Sequence, residues 1–225
     1  MRLPAKIKGN VLMSTPIVHG INFSTYVRSV RMALSEKGAA YTLDEVNILD
    51  GSNQSSEHLV RHPFGKIPAF SHDGITIYES SAIIRYIDRV FPGPALTPAS
   101  ARQAAVSDQV AGIIDSYGYG CIIGQLVWQR VVTPMLGGVP DDGVVAAGLG
   151  RVRLCVAEFA RLLGDSVWFG AEHISLGDLM LAPVFTYMLG TDEGREIAGE
   201  HPALMAWFER MSARESMLET LPKFG

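Results

Sequence analysis

The stretch His62-Pro-Phe-Gly-Lys-Ile-Pro-Ala-Phe70 puts a proline at the mouth of an apolar run, and this limits what the surrounding chain can build. Proline has no N–H to give a sheet ladder, so within strands it is confined to edges, first positions and bulges. Pro68 therefore reads as a turn device at the start of a strand, a cis peptide bond being one way to make it, and it leaves the backbone of Ile67 unpaired. An extended peptide can pair with such a backbone by strand addition, main-chain hydrogen bonds giving affinity and side pockets specificity. Ile67 to Phe70 and Ile75 to Tyr78 flank His72-Asp-Gly74, which predicts a hairpin with an Asp-Gly turn. Tyr78-Glu-Ser-Ser-Ala-Ile83 then stands where strand gives way to helix. There Ser80 and the free helix N–H groups can take a carboxylate while Glu79 takes an ammonium. An isolated Glu-Ser pair would be no more than a cap and a first-turn acid; beside Pro68 it completes a clamp for a tripeptide with an amino-acid head group.

Pro16-Ile-Val-His-Gly20 is a short β-type run, Val27, Val30 and Leu34 share a helical face, and Tyr41 to Ile48 alternates in part. These make a β-α-β unit with a parallel strand pair, followed by a short helix, the hairpin, and a helix carrying Ile83, Ile84, Ile87 and Val90. Pro92 to Pro98 is the densest proline stretch, and beyond it β-type alternation gives way to long helical segments. Val145, Leu149, Val152, Val156, Phe159 and Leu163 form one packing seam, and Ser175 with Asp178 predicts a variant capping box. The expected divisions are a disordered extension over 1–13, a sheet-bearing domain over 14–91, a linker over 92–98 and an all-helical domain over 99–225. Interspersed charges with a net charge of −4 supply no basic face for nucleic acid. No apolar run approaches the ~20 residues of a spanning helix and no signal-peptide order opens the chain, which points to a soluble cytoplasmic protein without a membrane partner. Cys121 and Cys155, in no CxxC pattern, read as buried small hydrophobes.

Phe23-Ser-Thr-Tyr26 lies at the entry to the first helix, where the macrodipole and an oriented hydroxyl would stabilise an adjacent thiolate belonging to a ligand. Ser24 is the choice because a helix-entry residue should precede the Val27, Val30, Leu34 face, with Thr25 and Tyr26 as alternative hydroxyls and a plain N-cap as the ordinary reading. Tyr117, Tyr119, Ile123 and Trp128 suit an apolar pocket, and equally an ordinary core; Phe23 and Tyr26 are the candidates for its near wall. His58 and His62, spaced i, i+4 with no accompanying ligand pattern, are expected to be a polar surface pair, so no metal is expected.

The Pro-Phe-Gly-Lys-Ile-Pro-Ala-Phe and Glu-Ser-Ser-Ala-Ile stretches resemble those of the cytosolic glutathione transferases, and the likeness runs from about Pro16 onward. The spacing from Ser24 to Val30 resembles the serine-type classes, such as phi and theta. The resemblance implies an α/β N-terminal thioredoxin-like domain with a mixed four-stranded sheet and an all-α C-terminal bundle. It implies glutathione as co-substrate, with Ser24 facing the sulfur and Ile67 bonding the cysteinyl backbone next to Pro68. Glu79 and Ser80 would hold the γ-glutamyl head, and Lys66, Asn53 or Gln54 the glycyl carboxylate. Phi-type enzymes carry histidine and lysine where this chain has Asn53 and Gln54, so charge assistance there would be weaker. The implied activity is attack of the thiolate on a hydrophobic electrophile, as in detoxification, by a two-fold homodimer. A non-catalytic glutathione-dependent carrier or regulator of the same fold is the alternative from another class.

Overall fold

A computed structural model describes residues 14–222, so the expected extension over 1–13 lies outside the described residues. Four short strands, β1 (Ile17–His19), β2 (Thr42–Asp44), β3 (Ala69–His72) and β4 (Ile75–Tyr78), form one sheet in the order β2-β1-β3-β4. β1 and β2 are parallel, whereas β3 is antiparallel to both β1 and β4. The register sets Val18 between Leu43 and Phe70. Val18 and Phe70 are fully buried. His19, on the same central strand, meets Asp44 at 2.7 Å through Nδ1 and Ser71 at 2.9 Å through Nε2, so one buried ring ties three strands together.

The parallel pair needs a crossover, and α1 (Thr25–Glu36) supplies it. Val27, Val30 and Leu34 are all fully buried, as their spacing predicts, each burial contributing about 1.5–3 kcal/mol before chain entropy is counted. The hairpin turn places both Asp73 (φ 46°) and Gly74 (φ 79°) in the left-handed region, the geometry of a two-residue turn for which Asp-Gly is favoured. A 3₁₀ turn (Ser52–Gln54) and the short α2 (Ser56–Arg61) precede β3, and α3 (Ser80–Val90) follows β4 with Ile83, Ile84 and Ile87 buried.

His58 and His62 are not a surface pair: they are 1% and 3% exposed. The His58 Nε2–H donates to the Lys66 carbonyl at 2.7 Å, and the His62 ring lies against Tyr78, with centroids 4.8 Å apart. Spacing alone set them on one face but could not say that this face turns inward beneath the loop before β3.

Beyond Phe91 the described chain is helical: α4 (Ala101–Ile113) runs on through π-helical segments (Ile114–Gly118 and Gly120–Val132) into α5 (Thr133–Met135), then α6 (Asp142–Leu163) and α7 (Leu176–Met188). The short helices α8 (Asp192–Gly199), α9 (Pro202–Ser212) and α10 (Glu215–Glu219) close the bundle. Asp141 caps α6 by accepting from the N–H groups of Gly143 and Val144. The expected capping box at α7 is formed, the Ser175 N–H donating to Asp178 at 2.8 Å. Cys121 and Cys155 are buried free thiols. No single helix among the described residues is long and apolar enough to cross a membrane.

Contacts between α1 and α7 join the two parts of the molecule. A hydrogen bond from the Tyr187 hydroxyl to the Phe23 carbonyl (2.7 Å) anchors this seam, and a forked pair of 2.6 and 2.7 Å bonds from Arg214 to Glu36 closes the far end of α1. α1 is therefore held at both of its ends.

Candidate functional site

Two cavities open on either side of the first turn of α1. The apolar one, with about 630 Å³ of empty space, is walled by Phe23, Ser24, Thr25, Tyr119, Ile123 and Trp128, together with Ile48, Leu49, Met135 and Tyr187. Among the described residues, no charged side chain lines it. The polar one, of about 530 Å³, is lined by Tyr26, His62, Lys66, Ile67, Pro68, Glu79, Ser80 and Asp115. Consecutive residues thus face different chemistry: Ser24 and Thr25 face the apolar pocket and Tyr26 the polar cleft.

Ser24 is the N-cap of α1, in extended conformation (φ −68°, ψ 128°). Its hydroxyl accepts from the Val27 N–H at 3.5 Å, a long and therefore weak bond. The oxygen sits beside the positive end of the helix dipole with most of its hydrogen-bonding capacity unspent, and its proton remains to be given to an anion. Thr25 is more deeply buried, 4% exposed. Tyr26 is committed elsewhere: its hydroxyl donates to Asp115 at 2.9 Å and its ring stacks on Tyr119 with centroids 4.7 Å apart. Burial first, and the Asp115 charge second, hold the Tyr26 phenol above its usual pKa, so it stays a donor. Tyr26 is therefore not part of the apolar wall as its position suggested.

In the polar cleft the Ile67–Pro68 peptide bond is cis. The β3 ladders begin at Ala69, and no turn or cap bond among the described residues takes up the backbone groups of Ile67. Glu79 holds φ at 70°, an uncommon conformation for a residue with a Cβ, costing about 1–3 kcal/mol and found most often where function requires it. Ser80, 7% exposed, begins α3 at the cleft. His62 also lines the cleft; burial lowers its pKa despite the nearby Glu79 charge.

Three further expectations need correction. Asn53 and Gln54 do not line the cleft: their amides donate to the Gly65 carbonyl at 2.6 and 3.3 Å and so brace the loop that carries Lys66. Tyr117 is 60% exposed and lies outside the apolar pocket, because residues two apart on a helix point to opposite sides and Tyr119 takes the inward one. Asp115, Ile48, Leu49 and Tyr187 belong to the cavities without having been singled out; no local spacing marks them, since each arrives from a distant segment.

The brace makes a test possible. Gly65 has φ 60°, and a Cβ there would collide with the Gln54 amide. Gly65→Ala is expected to cost about 1–2 kcal/mol, seen as a fall of roughly 2–8 °C in melting temperature. Unchanged thermal unfolding would show that the loop does not depend on this contact.

Residues 16–89 match the family model "Glutathione S-transferase, N-terminal domain" and residues 142–210 match "Glutathione S-transferase, C-terminal domain". Glutathione S-transferase F6 of Arabidopsis thaliana is 31% identical over 206 residues, covering 91% of this chain and 98% of that protein. Glutathione S-transferase F7 of the same plant is 29% identical over 205 residues, covering 91% and 98%. Among solved structures, glutathione S-transferase I from mais in complex with an atrazine glutathione conjugate superposes with a TM-score of 0.80 at 25% identity, covering 92% of this chain and 96% of that one.

Proposed function

This chain belongs to the glutathione S-transferase family, and on that premise we propose that it activates the thiolate of glutathione at Ser24 for attack on an apolar electrophile. One observation carries the proposal: a weakly bonded N-cap hydroxyl stands where an uncharged apolar pocket adjoins a cleft built for a zwitterionic peptide. In this reading the free backbone of Ile67 beside Pro68 pairs with the cysteinyl residue, Glu79 and Ser80 take the γ-glutamyl head, and Lys66 takes the glycyl carboxylate. The sulfur then points past Ser24 into the apolar pocket. Its proton leaves to solvent, the Ser24 O–H donates to the resulting anion, and the sulfur lone pair forms the new S–C bond as a leaving group departs or a conjugated double bond takes up the electrons.

The energetic demand is modest. A free thiol has a pKa of about 8.5, and lowering it by two units requires about 2.7 kcal/mol of preference for the anion. A hydrogen bond to a charged acceptor contributes about 1.5–3 kcal/mol and a helix terminus about 0.3–1. An ultraviolet titration of bound glutathione against pH is expected to give a thiol pKa roughly two units below the free value. An unshifted pKa with tight binding would remove the catalytic reading.

The same proposal includes a homodimer in the cytoplasm acting in detoxification. Exposed Val60 and Phe64, at 86% and 68%, offer apolar surface beside α2 for a second copy, and two free thiols suit a reducing compartment.

A further inference from the structure

We propose that Asp115 is the second carboxylate of the ammonium subsite, closing with Glu79 on the α-ammonium of the γ-glutamyl group so that the helical part of the chain reads the ligand's amine. The inference rests on the glutathione reading above. Asp115 lies in the π-helical segment that continues α4, yet lines the same cleft as Glu79, Ser80 and Lys66. Its nearest cation on α3, Arg85, is turned onto the Asp108 carboxylate at 2.6 Å and the Ser81 carbonyl at 3.3 Å. Two carboxylates thus share one end of the cleft without an ion-pair partner among the described residues. Like charges so placed repel, and a cation between them relieves both. Burial, with a smaller contribution from the Glu79 charge, holds the Asp115 carboxyl above its usual range against the pull of the Tyr26 hydrogen bond.

Independent features point to the same ligand. Ser80 is 7% exposed, lines the cleft and is the first residue of α3, whose N-cap Glu79 makes no side-chain capping hydrogen bond and so leaves its carboxylate to the cleft. His62 is 3% exposed and its Nδ1 has no partner among the described residues. A carboxylate acceptor pair, a buried hydroxyl at a helix entrance and Lys66 in one cleft match a zwitterionic head group followed by a second anionic end. The Tyr26 hydroxyl, donating to Asp115, holds the carboxylate in place from α1.

Calorimetric binding of glutathione and of its desamino counterpart, glutaryl-cysteinyl-glycine, tests the assignment in the full chain. Asp115→Asn should weaken glutathione roughly tenfold while changing the desamino ligand less than about twofold, because only the first carries the cation. Tyr26→Phe, which keeps both carboxylates, should retain most of the preference for the amine. Equal weakening of the two ligands by Asp115→Asn, or no weakening of either, would overturn the assignment and leave Asp115 a structural partner of Tyr26. Failure of the unsubstituted protein to bind glutathione at all would instead overturn the reading on which the assignment rests.

Discussion

Replacing Ser24 by alanine should slow transfer of glutathione to an apolar electrophile by about 10- to 100-fold while leaving glutathione affinity within about twofold. The asymmetry follows from where the hydroxyl is spent. On the proposed reading the peptide is held by Lys66, Ile67, Glu79 and Ser80, which line the polar cleft and which the substitution does not touch, whereas the thiolate loses its charge-assisted donor. As an N-cap, Ser24 makes only a 3.5 Å bond to Val27, so its loss should cost the fold no more than about 1 kcal/mol. Steady-state kinetics with an aryl halide, together with the bound-thiol titration, read both halves. Thiol pKa should climb toward about 8.5 in parallel with the loss of rate. Equal loss of affinity and turnover would place Ser24 in binding alone. A pKa that moves in Thr25→Val but not in Ser24→Ala would transfer the role to the neighbouring hydroxyl.

The largest stability effect is expected at Asp178, where asparagine should cost about 3 kcal/mol and lower the melting temperature by roughly 6–12 °C. The carboxylate is fully buried and accepts four hydrogen bonds: from the N–H of Phe169 (3.1 Å), the N–H and hydroxyl of Ser175 (both 2.8 Å) and the indole of Trp207 (2.7 Å). Burial raises its pKa while these donors pull it down. Asparagine preserves the volume but turns one acceptor into an N–H group facing donors, so at least one buried polar group is left without a partner. The loop before α7, α7 itself and α9 all converge on this side chain, and thermal unfolding should reveal its loss. Because Asp178 lies outside both cavities, glutathione binding measured well below the transition should be preserved. A shift of less than about 2 °C would mean that the box only decorates a helix held by packing.

Signals confined to a few consecutive residues proved legible. The Asp-Gly turn, the cap at Ser24, the box at Ser175 and Asp178, the strand-entry position of Pro68 and the buried faces of α1 and α3 are each dictated by backbone chemistry or by a helical period. Resemblance added the architecture and the choice of ligand. What stayed hidden depends on which way a side chain turns once distant segments meet. Tyr26 stands two residues from Ser24, but whether it joins the apolar or the polar cavity is decided by Asp115, 89 residues away. Tyr187 reaches the site across 164 residues to bond the Phe23 carbonyl. Asn53 and Gln54 occupy positions suited to a carboxylate, and only the approach of Gly65 shows that their amides serve the loop. Tyr117 failed for a different reason: it stands two residues from Tyr119, and residues so spaced cannot share one helix face.

That wide-pitched stretch also bears on how such a protein changes over generations. Tyr119, Ile123, Val127 and Trp128 hang from turns closed by i→i+5 bonds, a pattern that arises when one residue more than an ordinary helix needs is accommodated without breaking it. Loss of a single codon within Ile114–Val132 would let a wide turn tighten to the common pitch while the helix beyond it keeps its bearing. One deletion would thereby re-aim the side chains of that turn in the apolar pocket in a single step, while the sheet and the polar cleft inherit no change.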